Sequence, residues 1–124
     1  MSRLVDLQLD AVCGAAGSAE MTFDGPGDSF DQLRVDAIAC RCLEAGVPGT
    51  DGTVTLYRGR AADGRMIAQM LDTNGTFRGG GVADVIGAGD RWTVAFTRCV
   101  AGALVTASLT GTVERRGRPG RDPR

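Results

Sequence analysis

Val105 Thr106 Ala107 Ser108 Leu109 Thr110 Gly111 Thr112 Val113 alternates small or apolar residues with hydroxyl-bearing ones along its whole length. Successive side chains of an extended chain point to opposite faces, so a period of two predicts a strand with one face in a core and the other toward water. Val105, Ala107, Leu109, Gly111 and Val113 are the inward set; Thr106, Ser108, Thr110 and Thr112 are the outward one. A helix would instead repeat its apolar residues three and four apart.

The same signature recurs toward the N-terminus. Val5, Leu7, Leu9, Ala11 and Cys13 point one way, with Asp6, Gln8 and Asp10 between them. Gly14 to Gly17 interrupts the pattern, Met21 and Phe23 resume it, and Asp24 Gly25 Pro26 Gly27 Asp28 ends it with turn-forming residues. From Phe30 to Leu43 the apolar phase runs through Leu33, Val35 and Ala37, then switches to Ile38, Cys40 and Cys42. A β-bulge and a strand buried on both faces would each produce that switch. Gly46 to Gly52 reads as a loop, and Thr53 Val54 Thr55 Leu56 Tyr57 Arg58 as a strand of β-branched and aromatic residues. Ala62 Asp63 Gly64 turns the chain into Met66 to Asp72, whose short length between turns favours the second strand of a hairpin over a helix. Gly79 Gly80 Gly81 opens a run with Val82, Val85 and Ile86, and Gly87 Ala88 Gly89 Asp90 leads into Trp92, Val94 and Phe96. The shared parity of those three marks a core face that they should anchor.

About eight short strands without a helical segment predict an all-β fold, an antiparallel β-sandwich that is jelly-roll-like. The 124 residues fit one domain. We place the sandwich at residues 1–114. Residues 115–124, Arg115 Arg116 Gly117 Arg118 Pro119 Gly120 Arg121 Asp122 Pro123 Arg124, lack apolar side chains and form a C-terminal arm unable to fold alone.

Composition excludes several classes. The formal charge is −1, which disfavours nucleic acid as a partner, because phosphate binding needs a clustered basic surface. No stretch approaches the apolar length of a membrane span, and Met1 to Asp6 begins no apolar leader, so synthesis in the cytoplasm and no membrane partner are expected. The chain has no histidine, the commonest general base and metal ligand. No serine lies in G-x-S-x-G and no glycine run fits a phosphate-binding loop. A glycosidase built on a carboxylate pair would need a cleft and aromatic platforms, whereas the chain has one tryptophan and one tyrosine. No enzyme activity and no cofactor are expected.

Cys13, Cys40, Cys42 and Cys99 are not spaced as the paired C-x₂₋₄-C of a zinc knuckle. Small buried thiols explain them better than a metal site or a disulfide, which fits only an oxidising compartment. Asp24, Asp28, Asp31, Asp84 and Asp90 stand in loops where turn formation explains them better than calcium ligation. Arg115, Arg116, Arg118, Arg121 and Arg124 are the candidate partner-binding residues, suited to nucleic acid or to carboxylates of a neighbouring subunit. The balanced charge elsewhere favours the second.

Arginine is the sole basic residue, and with abundant glycine and alanine this is the usage of GC-rich codons, pointing to a high-GC bacterium or one of its viruses. Val54 Thr55 Leu56 Tyr57 Arg58 Gly59, Leu71 Asp72 Thr73, Ala88 Gly89 Asp90 Arg91 Trp92 Thr93 Val94, Leu109 Thr110 Gly111 Thr112 and, upstream, Leu33 Arg34 Val35 Asp36 Ala37 Ile38 carry a resemblance. With these motifs the chain from Gly52 to Glu114 resembles small virion structural proteins of actinobacterial tailed bacteriophages. The cysteine content and the arginine arm depart from that pattern. The resemblance implies a β-sandwich located on the virion after synthesis in the host cytoplasm. It implies an assembly role without an address on the particle; the role expected first is a non-enzymatic capsid decoration (cement) protein that binds and stabilises the assembled capsid lattice. Its partners would be the major capsid protein or other virion subunits, and it would be a homo-oligomer such as a trimer. The alternative is a tail or tail-tip structural protein that binds host-surface glycans. A stand-alone carbohydrate-binding module is the reading from another class, and 5% aromatic content disfavours it.

Overall fold

A computed structural model describes residues 2–28, 30–44, 47–48, 52–59, 65–78 and 85–115. They form β1 (Ser2–Val12), β2 (Ser18–Asp24), β3 (Asp31–Glu44), β4 (Val47–Pro48), β5 (Thr53–Arg58), β6 (Arg65–Met70), β7 (Gly75–Arg78), β8 (Val85–Gly87), β9 (Arg91–Thr97) and β10 (Leu104–Arg115). The proposed turn at Ala62 to Gly64, the Gly79 to Gly81 opening, Val82 and Asp84 lie outside the described residues.

The strands make two antiparallel sheets. One orders β1-β10-β3-β4, with β7 and β8 also paired to β3; the other orders β2-β9-β5-β6. First pairs with last, β2 with β9 and β3 with β8, the nested pairing by which a long antiparallel ribbon rolls up. The alternation thus led to the right class, an antiparallel β-sandwich. β5 and β6 form the expected hairpin. Two short strands go beyond the expected ones: β4 lies within the Gly46 to Gly52 stretch read as a loop, and β7 in a stretch given no strand. β7 has four residues and one buried apolar side chain, Phe77, set opposite Ile38, too little for a periodic signal.

The phase switch in β3 is a bulge. Ala37 faces Thr110 while Val35 faces Gly111, so Asp36 is the extra residue and the apolar phase shifts by one. Leu33 and Val35 before it, and Ile38, Cys40 and Cys42 after it, are all buried. The bulge brings the two backbones so close that a Cβ on Gly111 would sit 2.1 Å from the Arg34 carbonyl oxygen. Glycine is therefore dictated by contact here.

Between the sheets lie Trp92, Phe23, Phe96, Ile38, Leu56, Ile86 and Leu109, each 2% exposed or less. Trp92, Val94 and Phe96 anchor this core, as their parity indicated. Thr93 and Ala95, on the opposite side of β9, are buried as well, because β9 is flanked by β2 and β5. That side is a hydroxyl network: Thr93 Oγ1 donates to the Gly59 carbonyl at 2.6 Å and lies 3.3 Å from Thr22 Oγ1, while Gln69 Nε2 donates to Thr55 Oγ1 at 3.0 Å.

Candidate functional site

β10 is straddled by β1 and β3 over its length, so its end is firmly placed, and its last residue is Arg115. The Arg115 guanidinium reaches back to the turn before β3. Its Nη2 donates to Asp28 Oδ2 at 2.8 Å and its Nε lies 3.3 Å from Asp31 Oδ1. Asp28 also accepts the Phe30 backbone N–H at 2.9 Å through Oδ1, which fixes the turn that presents it. Two carboxylates on one guanidinium make a fork-shaped contact, partly open to water and so modest in energy, but directional. Arg115 is thus the root of the arm and engaged within its own sandwich. Arg116, Arg118, Arg121 and Arg124 lie outside the described residues.

Of the loop aspartates, Asp28 and Asp31 are engaged with Arg115, and Asp90 Oδ2 accepts from Arg58 Nη2 at 3.0 Å. Among the described residues no three cysteine or acidic side chains converge as a metal site would require.

A second feature was not visible in the sequence. β1 pairs with β10 through an unbroken register, and at its other edge no described strand pairs with it. Its inward row is only half covered: Val5, Leu9 and Ala11 pack partly against the core, and Leu7 is 38% exposed. On its outward side Leu4 is 85% and Val12 64% exposed. Leu4, Val5 and Asp6 line a shallow open groove with Asp36, Thr110 and Gly111, where the bulge kinks the neighbouring strand. Alternation shows which way these side chains point; how far the second sheet extends beneath them is a tertiary fact.

The thiols belong to the interior. Cys13, Cys40, Cys42 and Cys99 are all buried and unbridged. Cys13 closes β1 onto the β9–β10 connection, its N–H donating to Ala103 O at 2.8 Å and its carbonyl accepting from Gly102 N–H at 2.9 Å. Cys99 Sγ donates to the Gly17 carbonyl at 3.3 Å. Burial pushes the Cys40 thiol up to about 12. Cys99 is also raised to about 12, first by burial and then by its hydrogen bond with Cys13 and the nearby Cys13 and Cys42. Such thiols are poor nucleophiles. The shift has a stability consequence: the unfolded thiol ionises from its ordinary value of 9.0 upward, the folded one only near 12. The stabilisation is therefore present below pH 9 and is lost as pH rises toward 12, by about 1 kcal/mol for Cys40 between pH 9 and pH 10. Melting curves at about pH 8 and pH 10 should show a fall in Tm, and the fall should be smaller in Cys40→Ala.

No protein-family model matches the chain, and no curated protein does. Similar solved structures include the Drosophila NLP core, described for pentamer formation and histone binding. Its TM-score is 0.38 and its identity 13%, over 87% of this chain and 98% of that one. VP2 of infectious bursal disease virus, in a subviral particle, has a TM-score of 0.27 and 16% identity over 96% of this chain. The chain spans 42% of that VP2 chain. Likenesses this weak carry no argument about function.

Proposed function

We propose that the chain is a non-enzymatic structural protein of a bacteriophage virion, a capsid decoration protein that docks on the assembled lattice. The observation that carries this reading is the clamp on Arg115. The basic arm leaves the sandwich from a point held by Asp28 and Asp31, at the end of a strand paired on both sides. A peptide tethered at a fixed point keeps its arginines at a high effective concentration near a docked neighbour. The arginines beyond the root, Arg116, Arg118, Arg121 and Arg124, suit carboxylates on an adjoining subunit, such as the major capsid protein. The mechanism is mass action: a protein that binds the assembled lattice and not its free subunits stabilises the lattice. The resemblance of its strand and turn motifs to actinobacteriophage structural proteins supports an assembly role.

The test is to delete residues 116–124 from the full chain, leaving the Arg115 clamp in place, and to measure occupancy on purified particles. Occupancy should fall by about tenfold or more, the size of effect from losing one or two charge-assisted contacts. Undiminished occupancy would remove the arm from the account. Copy number separates the decoration reading from a tail or tail-tip component, since a lattice offers hundreds of sites and a tail tip only a few.

A further inference from the structure

We propose that β1 is the strand by which two copies of this chain join, pairing β1 against β1 antiparallel about a two-fold axis that passes beside Leu7. The proposal gives the homo-oligomer implied by the resemblance a surface and makes it a dimer in place of a trimer; it does not depend on the virion address.

A sheet edge exposes a row of unmatched backbone donors and acceptors, and proteins usually blunt such edges with proline, lysine, bulges or short strands. β1 carries none of these. It is 11 residues long, has no proline or lysine, and pairs with β10 with no register shift. The other sheet has two outer strands, and both are shorter: β6 has six residues and an irregular pairing with β5 at Leu56/Tyr57, and β2, though regularly paired with β9, has seven residues against the 11 of β1. The far side of β3 is already occupied by β4, β7 and β8.

Self-complementarity selects the occupant and the register. Opposed residues of an antiparallel pair share a face, so a two-fold pair must set odd residues against odd and even against even. With Leu7 on the axis, Ser2 faces Val12 of the second copy and the whole of β1 is paired. On the inward side Leu7 then meets Leu7, and Val5 meets Leu9, covering the half-exposed row and continuing the core from one copy into the next. On the outward side Leu4 meets Asp10 and Asp6 meets Gln8; the Gln8 amide donates to Asp10 Oδ1 at 3.2 Å within its own copy and has a second N–H for the opposed Asp6 carboxylate. Sliding one strand by a single allowed step fails in either direction. One slide sets Asp6 against Asp6, and the other sets Asp6 against Asp10 twice. Like charges directly opposed are destabilising, so the register that pairs every residue is also the one free of acid–acid apposition. The product is a continuous sheet, β3-β10-β1 of one copy joined to β1-β10-β3 of the other, an isologous contact in which each pair occurs twice.

Sedimentation equilibrium on the full chain tests this, with the wild type compared with Gln8→Asp and Gln8→Arg. Gln8 is exposed, so neither change disturbs the core, and an unchanged circular dichroism spectrum verifies that. The wild type should reach twice its 12.9 kDa chain mass at concentrations of order 100 μM. Gln8→Asp should weaken the dimer about tenfold by opposing the introduced carboxylate to Asp6 at two symmetric points, and Gln8→Arg should tighten it several-fold. A monomeric wild type at 100 μM, a trimer, or an assembly whose dissociation constant neither substitution moves would each overturn the proposal. All three results leave the arm-deletion experiment free to give its own answer.

Discussion

Replacing Trp92 by alanine should lower the unfolding free energy by about 4 kcal/mol and the melting temperature by roughly 15 °C, the range for emptying the largest side chain from a closed core. Trp92 is 0% exposed, faces Phe23 across β2 and β9, and lies between the two sheets. Alanine leaves a cavity that neighbours on two rigid strands cannot collapse to fill. Phenylalanine should behave differently. The Trp92 Nε1–H is buried with no hydrogen-bond partner among the described residues, so losing it removes a desolvated donor and offsets part of the lost contact area. Trp92→Phe should therefore cost about 1 kcal/mol. Thermal or denaturant unfolding of the two variants side by side measures the difference. A loss for phenylalanine as large as for alanine would contradict the assignment of the Trp92 contribution to ring packing.

Gly111→Ala should be among the costliest single-methyl changes at the described residues, destabilising by about 3 kcal/mol. The added Cβ would lie 2.1 Å from the Arg34 carbonyl oxygen and 3.3 Å from the Val35 Cα, both backbone atoms of the bulged strand. No rotamer change relieves such a contact; β3 and β10 must part or the bulge must move. Moving the bulge would shift the register on one side of it and turn buried residues such as Leu33 and Val35 toward water. The neighbouring outward position offers the control. Thr110→Ala touches an exposed side chain on the same strand and should change stability by less than about 0.5 kcal/mol. Denaturant unfolding of the pair distinguishes a contact specific to Gly111 from a general intolerance of β10.

β10, β1 and β9 were readable from the residues because each carries several alternating apolar side chains, and the class of fold follows from them. β4 and β7 were not, since two to four residues with at most one buried apolar side chain leave no period to detect. The bulge at Asp36 announced itself as a change of phase, but an identical change arises in a strand covered on both faces, and only the partner strand decides between the two. Arg115 reads in sequence as the first residue of the arm; its engagement with Asp28 and Asp31 depends on the sheet bringing residues 87 and 84 positions apart together. The open edge of β1 was hidden for a related reason. Its pattern resembles that of β10, and the difference between an outer strand and a central one lies in the sheet order.

A sandwich that serves as a building part of a particle must be present in many copies and bound to its lattice. Quantitative mass spectrometry of purified virions, counting this chain against the major capsid subunit, should return a copy number in the hundreds, in fixed proportion to the capsid subunit. Intact particles that lack the chain would rule the decoration role out.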